Sequence, residues 1–343
     1  MDFTSDNTGA LAPQIRDALL SADAGRVPSY GNDPWSQALD RAFAEVFGAQ
    51  VRVFPVATGT AANALALAHL IPPWGAVLCH EEAHIHTDEC GAPEFFSAGG
   101  KLVPIGGDHG RLDPSAVAAT LAEFPPGSVH QVQPAALSLS QSTEAGTVYG
   151  PDAVANLCAT ARTRGMRVHM DGARFANALA GRAAAPAALT WQAGVDVLAF
   201  GATKNGAMMA EAVVFFDLAL AEGFALRRKR AGQLLSKSRY VAAQLLAYLA
   251  DDLWLRLAAH ANVMAGRLGV GLKAEGYASV HPVEANEVFV RLPDAMAAAL
   301  RRGGALFYDW PSRACGPDGR RFVTSFASRA EEVDELLALV RAG

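Results

Sequence analysis

Cysteine is scarce, with four in 343 residues (Cys79, Cys90, Cys158 and Cys315) and no Cys-x-x-Cys pair. They lie far apart in a long chain, so the four read as ordinary reduced thiols rather than a disulfide framework. Charge is sparse too: 18% of residues are charged, with 29 Lys+Arg against 34 Asp+Glu and a net charge of −5. A basic stripe for nucleic acid is therefore not expected. Long apolar runs are missing. The most apolar stretches, Ala61–Cys79 and Ala207–Ala221, are broken by Asn63, His69, Pro72 and Pro73, and by Glu211 and Asp217. Neither could cross a membrane. The N-terminus, MDFTSDNTGA, lacks the basic start and apolar core of a secretory leader, so the expected location is the cytoplasm. There is no internal repeat and no low-complexity linker.

What is abundant is apolar material, 51% of the chain. That suffices for one large domain, or a large and a small one. From about Val51 to Phe216, short apolar runs alternate with helical stretches. The spacing predicts strands at Val51–Val56, Ala76–Cys79, Lys101–Ile105, Val129–Val132, Arg167–Met170, Asp196–Phe200 and Ala212–Phe216. Asp33-Pro34 and Asp113-Pro114 each supply a cap and an N1 proline to the helices that follow, and Pro151-Asp152 opens a third. Such alternation implies an α/β domain with a mostly parallel sheet covered on both faces. Beyond it, Ser238–Ala274 reads as one or two long helices. A smaller α+β region follows, with strands at Val280–Val283, Glu287–Leu292, Ala305–Tyr308 and Phe322–Ser325 and helices at Pro293–Arg302 and Ala330–Ala342. The expected division is an N-terminal arm (1–30), a large α/β domain (31–240), and a connecting long helix with a small C-terminal domain (241–343). The arm is too polar and turn-rich to be expected in a core.

In an open α/β sheet, ligands bind beyond the carboxyl ends of the strands. Three segments fall there. Val51–Val56 runs into Thr58-Gly59-Thr60 and then an Ala-rich helix, whose free first-turn amides suit a phosphate; taken alone, a tight turn with a threonine cap is the plainer reading. Arg167-Val-His-Met delivers Asp171, followed by Gly172 and Arg174. That carboxylate could hold a cation or a protonated ring nitrogen, or simply cap a helix. Asp196–Phe200 ends in a glycine-flanked loop carrying one lysine, Lys204, placed either as a nucleophile or as a plain surface charge. Together the three meet the needs of pyridoxal 5′-phosphate: an amine for the Schiff base, a carboxylate for the pyridine nitrogen and amides for the phosphate.

Five stretches carry a resemblance to a known family: HMDGARFANA, FGATKN, ATGTAAN, TSDNTG and AHIHTDECGAPEFF. They resemble the threonine aldolases, pyridoxal-phosphate enzymes of the β-eliminating lyase group with the aspartate-aminotransferase (type I) fold. The likeness runs from Phe3 to Ala330 and is strongest to the low-specificity L-threonine or phenylserine branch. It implies retro-aldol cleavage of β-hydroxy-α-amino acids to glycine and an aldehyde. It also implies roles for particular residues. Lys204 is the Schiff-base lysine, Asp171 pairs with the ring nitrogen, and Thr58, Gly59 and Thr60 hold the phosphate. His84 stacks on the cofactor near the substrate hydroxyl, and it or a water it orients is the expected base. Ser5, Arg174 and Arg321 bind the substrate carboxylate, with Tyr30 nearby. Lys229 reaches the phosphate of a neighbouring subunit, which makes the enzyme a homodimer or homotetramer with shared active sites.

One departure is visible. Where many members read Glu-Asn-Thr-His, this chain reads Gln141-Ser142-Thr143-Glu144, so Glu144 stands in place of a second histidine on the substrate side. A metal site at His84-x-His86 is not expected, for want of a third ligand; His86, Asp88 and Glu89 read as supporting or surface residues. The run Arg227–Arg230 reads as a solvated helix end. Two other classes share the pattern: another pyridoxal-phosphate β-eliminating lyase or aminotransferase acting on a small amino acid, and a non-enzymatic binding module of the same fold.

Overall fold

The computed structural model describes residues 1–342. Its large sheet has seven strands: β1 (Arg52–Val56), β2 (Gly75–His80), β3 (Lys101–Ile105), β4 (Gln133–Ser140), β5 (Arg167–Gly172), β6 (Val197–Gly201) and β7 (Glu211–Phe215). They lie in the order β1-β7-β6-β5-β4-β2-β3. The pairs from β3 through β6 are parallel, whereas β7 runs antiparallel to both β6 and β1. Strands β2, β6 and β7 are buried at every residue, as central strands covered on both faces must be. The helices that flank them start where the sequence signals. Asp33 accepts from the Ser36 amide at 2.8 Å to cap Pro34–Phe47, and Asp113 accepts from the Ser115 amide at 2.7 Å to cap Pro114–Ala122.

The register places the site. Ser140 pairs with Asp171, Asp171 with Ala199, Gly201 with Glu211, and Glu211 with Val56. The ends of β4, β5, β6 and β1 and the start of β7 therefore sit side by side on one edge of the sheet. Phe43, Phe175, Phe200, Tyr248 and Trp254 pack into one core against the sheet, with ring centroids 5.1 Å apart for Phe43–Phe200 and 5.6 Å for Phe200–Trp254.

The C-terminal part carries a second sheet of β8 (Glu287–Arg291), β9 (Tyr308–Asp309) and β10 (Gly319–Val323), antiparallel in the order β8-β10-β9. It has its own core of Leu268, Val290, Phe322 and Leu336. Helices Arg239–Leu249 and Leu253–Ala274 lead to it, parted at Asp251 and Asp252, both of positive φ. No helix is long and apolar enough to cross a membrane among the described residues.

Four sequence expectations need correction. The strand expected at Val129–Val132 forms instead at Gln133–Ser140, and Val129 is 91% exposed. Its sequence, Gln-Pro-Ala-Ala-Leu-Ser-Leu-Ser, has no β-branched residue, so only pairing with β2 and β5 makes it a strand. The first thirty residues are not excluded from the core. Helix Pro13–Ala22 buries Ile15, and Phe3 is 1% exposed against Phe322. Val280–Val283 forms no strand; only a single bridge, Ser279 to Val290, lies beside it. The last two strands are displaced to Tyr308–Asp309 and Gly319–Val323 because Gly319 and Arg320 pair with the end of β8.

Candidate active site

The sheet edge opens on two adjoining cavities of about 380 and 640 Å³. At one end of the inner cavity, Thr58 in extended conformation caps helix Gly59–Leu70, its Oγ1 accepting from the Ala61 amide at 3.1 Å. The Gly59 and Thr60 amides have no acceptor within the helix and lie at its positive pole. A Cβ at Gly59 would meet nothing within 4 Å, so that turn faces open space. Gln233 Oε1 accepts from the Ala57 amide at 3.1 Å and fixes the approach.

At the far side of the cavity, the end of β5 presents Asp171, buried at 7% exposure. Its Oδ1 accepts from the Ala173 amide (3.0 Å) and its Oδ2 from Asn63 Nδ2 (2.8 Å). Asn63 Nδ2 also donates to Glu89 Oε1 (2.9 Å), to which His84 Nδ1 donates at 2.9 Å. The shared amide and imidazole protons account for two buried carboxylates lying so close. The hydrogen bond to Glu89 raises the His84 pKa above its ordinary value, outweighing burial, and Asp171 adds to the rise. Glu89 is raised by burial, against the two hydrogen bonds it accepts. We expect Asn63→Leu to destabilise the protein by about 1–3 kcal/mol for each carboxylate it strands. Denaturant midpoints measure that cost, and a midpoint equal to wild type would show that Asn63 does not bridge them.

Lys204 sits in a single 3₁₀ turn, Thr203–Asn205, directly after β6. Asn205 anchors the turn, donating to Tyr248 Oη (2.7 Å) and the Trp254 carbonyl (2.9 Å). Just before it, a Cβ on Gly201 would lie 2.6 Å from the Ala173 carbonyl oxygen, so only glycine lets the ends of β5 and β6 close up. Glu211, at the start of β7, also lines the cavity, and burial pushes its pKa up to about 7.

Arg174 and Lys204 border both cavities, and Arg321 lines the outer one. Arg174 is locked on Asp6 through Nε (2.7 Å) and Nη2 (3.1 Å), with Glu287 3.5 Å from Nη1. Burial would raise the pKa of Asp6, but Arg174, and then Lys204, hold it below the usual value. Arg321 differs. It lies over the rings of Trp310 (4.2 Å) and Tyr308 (5.5 Å) and donates to the Thr4 carbonyl at 3.3 Å. Among the described residues it forms no ion pair, and its Nε has no partner. Ser5 lines the same cavity and accepts from the Asn7 amide. Glu144 borders both cavities.

Of the residues singled out from sequence, Thr58, Gly59, Thr60, His84, Glu144, Asp171, Arg174 and Lys204 line the inner cavity. Ser5 and Arg321 line the outer one. Tyr30 and Lys229 line neither; they pair with each other, the Lys229 amine 4.6 Å from the Tyr30 ring centre, and Tyr30 is 48% exposed. Sequence reading passed over Asn63, Asp6 and Glu287. Asn63 had a usable signal, an amide in an otherwise apolar stretch of helix. Asp6 and Glu287 had none, since each meets Arg174 only through the fold.

A mostly parallel sheet with lysine, carboxylate and phosphate-type turn on one edge, followed by a small antiparallel sheet, defines a type I pyridoxal-phosphate enzyme fold. Aspartate aminotransferase of Thermus thermophilus, in a mutant form, shares it at 17% identity and TM-score 0.70 over 100% of this chain and 96% of that one. The chain belongs to the β-eliminating lyase family, which matches residues 2–295, and within it to the threonine aldolases. It is 43% identical to the low specificity L-threonine aldolase of Pseudomonas aeruginosa over 99% of this chain and 96% of that protein. The yeast Saccharomyces cerevisiae enzyme of the same name is 25% identical over 86% and 74%. The threonine aldolase structure from Leishmania major superimposes with a TM-score of 0.93 at 28% identity, covering 99% of this chain and 98% of that one.

Proposed function

We propose that the protein is a low-specificity L-threonine aldolase, cleaving L-threonine, L-allo-threonine and related substrates such as phenylserine to glycine and an aldehyde, with pyridoxal 5′-phosphate as cofactor. The observation that carries this reading is the meeting of Lys204, Asp171 and the Thr58–Thr60 turn in one cavity that opens onto Arg321. The donor set suits that cofactor. Asn63 Oδ1, Ser142 Oγ and Glu144 Oε2 are buried at the cavity without partners, as expected of groups that meet a ligand. The first-turn amides and the Thr58 and Thr60 hydroxyls would hold the phosphate, Asp171 the ring nitrogen, His84 the ring face and Lys204 the carbonyl carbon. Once bound, the group supplies an electron sink for the pair left on the substrate Cα.

The chain's own residues do the rest. Asp171, buried and fixed by Ala173 and Asn63, keeps a proton on the atom it faces. Arg321, with Ser5 and Arg174 beside it, clamps the substrate carboxylate and so turns the Cα–Cβ bond into the reactive orientation. Proton transfer at the β-hydroxyl falls to a group where the two cavities join, and both His84 and Glu144 lie there. A second subunit belongs to this reading. Tyr30 and Lys229 lie outside both cavities of their own chain, which suits a contribution to a neighbour's site in a homodimer or homotetramer. A fully active monomer in light scattering would exclude that part.

The test is product analysis of purified, cofactor-loaded protein with L-threonine, L-allo-threonine and L-phenylserine. Glycine and aldehyde in equal amounts are expected from each. Pyruvate-type products or a keto acid without glycine would mean β-elimination or transamination instead, and a colourless protein that takes up no cofactor would mean a binding module.

A further inference from the structure

We propose that the Glu144 carboxylate is the base that takes the β-hydroxyl proton during cleavage, an inference that rests on the aldolase reading above. The geometry singles it out. Glu144 Oε1 is pinned by Ser140 Oγ at 2.7 Å and by the His84 amide at 2.8 Å, while Oε2 is buried with no protein partner. The residue borders both the inner cavity, where the cofactor would lie, and the outer one, where the substrate side chain must extend. Only Asn7, His84, Arg174 and Lys204 share that position among the described residues. Asn7 and Arg174 are not bases, and Lys204 is committed to the cofactor. His84 gives Nδ1 to Glu89 and, in the reading above, its ring to the face of the cofactor. Glu144 is left, one oxygen fixed and the other buried without a partner, which is the preorganisation that proton transfer needs.

The electrostatic setting agrees. Burial pushes the Glu144 pKa up to about 7; Ser140 and the His84 amide act against that rise, and Asp171 adds to it. Arg174, Lys204 and the His84 ring border the same cavities. Cys79 and Tyr149, which also feel the Glu144 charge, are buried thiol and phenol groups pushed up and therefore neutral near pH 7. In the step itself, the hydroxyl proton passes to Glu144 Oε2 and the O–H pair becomes the carbonyl π bond of the aldehyde. The Cα–Cβ bond breaks with its pair on Cα, and Cα regains one proton as glycine forms. No net proton, oxidant or co-reactant is required.

The test is Glu144→Gln in the cofactor-loaded protein. Because the carboxylate is the active form, wild-type kcat/KM should rise with pH through about 7. The variant should lose that rise and about 10²–10⁴ in kcat with little change in KM. Two readouts separate a base from a structural part. Exchange of the glycine α-proton in D₂O needs no β-hydroxyl base and should persist at the wild-type rate. In the cofactor-free protein, infrared difference spectra should show a carboxyl band titrating near pH 7 that Glu144→Gln removes. Ser140→Ala, which takes away a donor favouring the carboxylate, should move the pH rise upward. A variant that keeps both rate and pH rise overturns the proposal, as does equal loss of exchange and cleavage, or a Ser140→Ala profile that does not move. Wild-type protein that exchanges glycine but releases no aldehyde overturns the aldolase reading instead.

Discussion

Lys204→Ala should lose the visible absorbance of bound cofactor and at least about 10⁴-fold in turnover, because no other amine can replace the nucleophile at that point in the site. Lys204 is placed by its surroundings rather than by its own contacts. Asn205 is tied to Tyr248 and Trp254, Gly201 is pressed against Ala173, and the lysine between them borders both cavities. The substitution removes the amine and leaves the anchor intact, so the fold should survive, with a denaturation midpoint lowered far less than by Arg174→Ala. Added primary amines should restore a small part of the rate, since the vacated space admits them. Colour and turnover retained in Lys204→Ala would discard the assignment of the lysine, and with it the cofactor reading.

The second large effect is on stability. Arg174 is 13% exposed and bridges Asp6 and Glu287, whose side chains are 2% and 1% exposed. Arg174→Ala strands two buried carboxylates and should cost about 3–5 kcal/mol, measured by denaturant unfolding at fixed protein concentration. The pH dependence follows from Asp6. Its folded pKa is depressed, so the pair contributes fully above the unfolded carboxylate value of about 3.9 and is lost as pH falls through the folded value. Without Arg174, burial raises Asp6 instead, so the deficit of the variant should be largest near neutral pH and shrink as pH falls through the raised value. Arg174→Lys should recover only part, because an ammonium cannot match the two-pronged contact on Asp6. Asp6→Asn combined with Arg174→Ala should cost less than the two singles added together. Strict additivity would show that the contact is not energetically coupled.

Much of the site was legible because its chemistry is local. Thr58-Gly59-Thr60 announces a strand running into a helix start, Asp171 ends a run of apolar residues, and Lys204 follows another. Each needs only its own strand and turn to be noticed. Strand β4 was not legible, since Gln133–Ser140 lacks strand-forming residues and becomes extended only between β2 and β5. The N-terminal segment failed for a similar reason. Its polar residues gave no core signal, yet Phe3 bonds through its amide to the Leu306 carbonyl, and its own carbonyl accepts from the Val323 amide.

The sequence by itself determined the fold class and the family and singled out Thr58, Asp171 and Lys204, because strand periodicity, helix caps and short motifs are written in neighbouring positions. Only the tertiary structure decided which residues they meet and which side chains around them are already paired. Asn63 meets Asp171 across 108 positions and Arg174 meets Asp6 across 168. Whether Arg174 is already paired while Arg321 is not, or whether Glu144 has one oxygen held and the other buried without a partner, depends on which strand ends lie side by side. That follows from the register of the sheet and from burial, and no local pattern along the chain encodes either.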